Sequence, residues 1–123
     1  KRGKQEKLVL GDLHAIVDWG YASDYVRAMQ LILNAKFADD YVIATGEPHT
    51  VLDFVQTAFG YLGLDWSLYV EEDQRIVRRS NFYRIGDSSK LKKATGWKPS
   101  VSFERMVELL LTHEEIECNV YED

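Results

Sequence analysis

Cysteine, proline and long apolar runs are all scarce in this sequence. Of 123 residues, one is cysteine, Cys118, and two are proline. A lone cysteine closes no internal disulfide, so the expected setting is a reducing, cytoplasmic one in which packing alone holds the fold. No apolar stretch approaches the ~20 residues that span a bilayer, and the opening KRGKQEKLVLG carries basic residues without the apolar core of a secretory signal. No membrane partner is expected. The formal charge of -5 also argues against a general binder of phosphate backbones, because no surplus of Lys and Arg is available to displace counterions. Nucleic acid is therefore excluded as the main partner.

The motifs of self-sufficient chemistry are missing as well. Gly60 and Gly63 form only GYLG, which reads as the end of a helix and not as a phosphate-cradling loop. His14, His49 and His113 stand far apart, and none lies at metal-ligand spacing from another or from Cys118, so no metal is expected. Cys118 sits in the acidic tail EEIECNVYED, whose charge disfavours a thiolate. No tyrosine is followed four residues later by lysine, the pair that activates a phenol in many nicotinamide enzymes. No residue of the chain is expected to be catalytic.

What is present is a set of element signals. At 46% hydrophobic, the chain can bury one core. Leu8-Val9-Leu10-Gly11 reads as a strand end with its turn, and KRGKQEK before it reads as the tail of a helix that began further upstream. From Ser23, an expected N-cap, Tyr25, Val26, Met29, Ile32 and Leu33 follow at helical spacing. Tyr41-Val42-Ile43-Ala44 reads as a buried strand, and Thr50 with Asp53 as a capping box opening a helix that stops at Gly63. Leu68-Tyr69-Val70 and a short run around 82–85 are weaker strand candidates, with a charged loop between them. Asp87 or Ser88 caps a short helix ended by Gly96. Ser102 caps the last helix, with Val101 and Met106 as its hydrophobic staple. In DWGYASDYV, the carboxylates Asp18 and Asp24 flank a Trp-Gly corner. Helix support is the reading for Asp24 and core anchoring for Trp19 and Tyr25. The expected class is α/β, with a few short strands and about four helices in a single unit over 1–123. So thin a sheet looks like part of something larger.

Three long stretches also carry a resemblance: LVLGDLHAIVDWGYASDYVRAMQLIL, DDYVIATGEPHTVLDFVQTAFGYLGLDW and IGDSSKLKKATGWKPSVSFERMVELLLTHE. In this order they resemble the C-terminal part of the GDP-mannose 4,6-dehydratases, a branch of the extended short-chain dehydrogenases. The resemblance implies the C-terminal, substrate-binding portion of an enzyme whose N-terminal Rossmann domain, absent from this chain, binds NADP and carries the catalytic set. This chain alone would bind no cofactor. The implied parent oxidises C4 of GDP-mannose, eliminates water across C5 and C6 and returns the hydride to C6, and such enzymes are homo-oligomers.

Residue by residue, the resemblance places Leu10 and Gly11 along the nucleotide. It sets Arg78 at the arginine of the family's R-P-T-E-V motif, gripping the diphosphate through charge-assisted bonds. Two positions depart from the pattern: Val17 stands where the family has an arginine, and Ser80 or Asn81 where it has the glutamate of R-P-T-E-V. Either Arg79 or Arg84 replaces the lost phosphate contact, or the substrate differs. The substrate-binding candidates are thus Leu10, Gly11, Arg78, Arg79 and Asn81. Without the resemblance, Arg75, Arg78, Arg79 and Arg84 read as a solvated loop balancing Glu71, Glu72 and Asp73. Two other functions stay open: the same role in a related nucleotide-sugar epimerase, dehydratase or reductase, and a non-catalytic binding or scaffolding domain.

Overall fold

The computed structural model describes residues 6–36, 38–73, 75–76, 83 and 85–119, the last seven as backbone only. Strand β1 (Leu8–Leu10) leads through a turn to β2 (Ile16–Asp18) and helix α1 (Ala22–Leu33). Strand β3 (Pro48–Thr50) runs directly into helix α2 (Val51–Tyr61), and a 3-10 turn at Trp66–Leu68 precedes β4 (Val70–Glu72). Helices α3 (Ser89–Thr95) and α4 (Phe103–Asn119) complete the order. The α/β class with four helices and short strands is as expected.

The strands form two separate pairs. β1 and β4 are parallel, with Leu8 opposite Val70 and Leu10 opposite Glu72. β2 and β3 are antiparallel, with Ile16 opposite Thr50 and Asp18 opposite Pro48. A parallel pair requires a crossover and a covered face. Helix α2 supplies that cover, since its Val55 meets Leu13 and Val70 in one buried cluster. One turn on, Ala58 joins Phe103, Met106 and Val107 of α4 in a second cluster. The third cluster, Ala28, Leu91 and Trp97, joins α1 to α3 and the segment beyond it.

The caps follow the sequence where their partners are local. Thr50 and Asp53 form the full reciprocal box: the Asp53 amide donates to Thr50 Oγ1 at 3.0 Å, and the Thr50 amide donates to Asp53 Oδ2 at 2.7 Å. Such a cap stabilises a helix by about 1 kcal/mol. Ser102 Oγ accepts from the Arg105 amide at 3.2 Å, and Val101 and Met106 meet in the same cluster as the staple requires. Gly63 and Gly96 take the left-handed conformation, φ 66° and 73°, past the ends of α2 and α3.

Several expectations fail. The N-cap of α1 is Tyr21, with no side-chain bond, and not Ser23. Residues 41–44 are not a strand; the chain runs without regular structure until Pro48. Tyr41, Ile43 and Ala44 still turn inward, but the following amides at Thr45 and Gly46 are bound by the Asp18 side chain and not by a strand ladder. β2 has no counterpart among the expected strands, because its pairing rests on a partner some thirty residues away. β4 begins at Val70, after the 3-10 turn. The expected run around 82–85 lies largely outside the described residues.

Helix α1 has two apolar faces. Tyr25, Ala28 and Ile32 turn inward. On the neighbouring face Ala22, Val26, Met29 and Leu33 make a second stripe spaced 4-3-4, with Val26 and Met29 53% exposed and Leu33 85% exposed. A helix apolar on two faces is the usual inhabitant of a space between two layers.

Candidate functional site

The expected nucleotide edge begins where β1 ends. Leu10 closes the parallel ladder, its carbonyl accepting from the Asp73 amide at 2.7 Å. Gly11, half-buried, opens the turn that follows. Beyond it the Leu13 amide donates to Glu72 Oε1 at 3.3 Å and the His14 amide to Asp12 Oδ1 at 2.8 Å. The turn is therefore fixed from both strands of the pair. The Leu10 carbonyl is engaged, and the Asp12 carbonyl accepts from the Ala15 amide at 3.4 Å.

Arg78, Arg79 and Asn81 lie outside the described residues, as do Ser80 and Arg84. Asp73, the residue bonded to Leu10, follows directly on β4. Arg75 is described and is committed elsewhere: its guanidinium forks onto the Asp73 carboxylate, Nη2 to Oδ2 at 2.8 Å and Nε to Oδ1 at 2.9 Å. Asp73 is held below the usual carboxylate range, chiefly by that pairing. For Arg75 the charge-balancing reading stands.

The two carboxylates of DWGYASD are knots. Asp18, at the end of β2, accepts the amides of Thr45 (3.0 Å), Gly46 (3.0 Å) and Gly86 (3.2 Å) together with the Thr45 hydroxyl. Burial opposes its charge, but these donors outweigh burial and hold its carboxyl below the ordinary value. Asp24 is buried, 3% exposed, and accepts the amides of Ser100 (2.9 Å) and Val101 (3.1 Å), the Ser100 hydroxyl (2.6 Å) and Arg27 Nη2 (2.9 Å). Here too burial raises the carboxyl, and the donors from Ser100, Val101 and Arg27 bring it down on balance. Between them, Gly20 lies under the Tyr25 ring, where a Cβ would come within 2.1 Å of the phenol oxygen. Burial, reinforced by Asp18 and Asp24, pushes the Tyr25 phenol up.

Chemically, every described carboxyl whose titration is displaced is displaced downward: Asp18, Asp24, Asp39, Asp53, Asp73, Asp87 and Glu104. Such groups serve as charged acceptors, whereas a general acid needs a raised value. Neither Asp18 nor Asp24 is poised as an acid. Among the described residues, no three His, Cys, Asp or Glu gather where they could hold a metal, and no helix is long and apolar enough to cross a membrane. Sequence reasoning missed the roles of Asp18 and Asp24, whose partners lie 27 to 77 residues away and leave no local spacing to read.

With this geometry in hand, the comparisons with known proteins converge. A family model described as GDP-mannose 4,6 dehydratase matches residues 1–110. GDP-mannose 4,6 dehydratase 2 of Arabidopsis thaliana is 52% identical over 112 residues, covering 90% of this chain and 30% of that protein. GDP-mannose 4,6 dehydratase of Homo sapiens is 35% identical over 133 residues, covering 94% and 36%. The chain thus spans about a third of the length of such relatives. Among solved structures, RMD from Pseudomonas aeruginosa complexed with NADPH superposes with a TM-score of 0.75 at 21% identity, covering 87% of this chain and 35% of that one. dTDP-glucose 4,6-dehydratase from Bacillus anthracis in complex with NAD gives 0.74 at 22%, covering 89% and 35%. These two likenesses establish the fold.

Proposed function

This chain belongs to the GDP-mannose 4,6 dehydratase family, and from that membership we propose that it is the nucleotide-sugar-binding portion of a 4,6-dehydratase acting on GDP-mannose. The observation that carries the reading is the junction at Leu10. The turn at Gly11 and the end of β4 start from bonded neighbours, Leu10 and Asp73, so both close on one edge of the parallel pair. In this reading Gly11 and Leu10 line the nucleotide, Arg78 holds the diphosphate, and Arg79 and Asn81 complete the grip. A charge-assisted arginine–phosphate contact of this kind contributes about 1.5–3 kcal/mol.

The described residues do not fit a nicotinamide dinucleotide. GYLG lies at the C-terminal end of α2, where unsatisfied carbonyls and the negative end of the dipole repel phosphate. NADP is accordingly assigned to another part of the parent enzyme, together with the proton and hydride transfers. Support for a second layer comes from the outer stripe of α1, Val26, Met29 and Leu33, an apolar seam that the cofactor-binding domain would cover. This chain's own task is then to bind and orient the sugar nucleotide. The parent is further proposed to be cytoplasmic and homo-oligomeric.

The direct test is the intact mass of the natural polypeptide with sequence upstream of Lys1. A parent of roughly 35–40 kDa, two joined domains, that converts GDP-mannose in an NADP-dependent manner supports the proposal. A natural chain beginning near Lys1 overturns the enzymatic part of it. A second reading, a relative with another nucleotide sugar, is favoured by Val17, which offers no charge where the family places arginine.

A further inference from the structure

We draw no further inference here: the strongest candidate, the exposed apolar surface patch along α1 at Val26, Met29 and Leu33, belongs to the seam already assigned to the parent's cofactor-binding domain, and nothing in the structure shows a further occupant for it.

Discussion

Asp18 and Asp24 stand six residues apart, carry the same charge and perform the same act of gathering amides from distant segments, yet they hold different things. Asp24 is buried and pins the chain at Ser100 and Val101, just ahead of α4, to the first turn of α1, with Arg27 completing its shell. Asp18 is half-buried and pins Thr45, Gly46 and Gly86, in the loops ahead of β3 and α3. The lesson is that a carboxylate pair around a Trp-Gly corner, which on paper invites a catalytic reading, can be two clamps. One belongs to the core, and the other ties two loops to the end of β2.

The largest expected effect tests the core clamp. Asp24→Ala leaves two amides and a hydroxyl unpartnered and Arg27 without its carboxylate, and should lower unfolding stability by about 3–5 kcal/mol, as losing one member of a buried charged network does. Urea denaturation measures it, and a loss under 1 kcal/mol would remove Asp24 from that role. Gly20→Ala comes next. The added methyl must displace the Tyr25 ring, at a cost of about 1–3 kcal/mol, read as a lowered melting temperature. Asp18→Asn keeps one acceptor oxygen and stays partly solvated, so about 1–2 kcal/mol is expected. If it matched Asp24→Ala, the distinction between the clamps would collapse.

A pH titration sharpens the same comparison. Both carboxyls lie lower in the folded chain than in the unfolded one, where the ordinary value is about 3.9. Their stabilisation is therefore complete above that value and is lost as the pH falls through the lower, folded values. Each single variant should flatten the acid limb of stability, Asp24→Asn more than Asp18→Asn. The smallest effect is on the outer seam: Leu33→Glu, on a side chain 85% exposed, should change the stability of the chain alone by under about 0.5 kcal/mol. The same change should loosen the joint in the full-length enzyme.

What was legible in the sequence was local. Thr50 and Asp53 sit three residues apart, and Ser102 lies between Val101 and Phe103, so both helix starts could be read from spacing. Helical spacing located α1 as well, but its apolar residues do not share one face: Tyr25 and Ile32 turn inward while Val26, Met29 and Leu33 are exposed. The 41–44 segment was misread because β-branched and aromatic content reports burial, which Ala44 and Ile43 have, and not ladder pairing, which they lack. Ser23 was misread as a cap because any serine ahead of an apolar run qualifies, while the real entry is set by Asp24 turning away to Ser100. Of the candidate site, Leu10 and Gly11 are assigned through resemblance to a family, and their setting comes from β1–β4 pairing across sixty residues, for which no spacing rule exists.

The central claim is a binding edge for a guanosine diphospho-sugar, and its most direct test is the affinity of the full-length enzyme for GDP-mannose and for UDP-glucose, with and without Arg78→Ala. The account predicts a preference for GDP-mannose and an affinity for it reduced about ten- to a hundredfold by the substitution. A preference for the uridine nucleotide, or an affinity indifferent to Arg78, would contradict it.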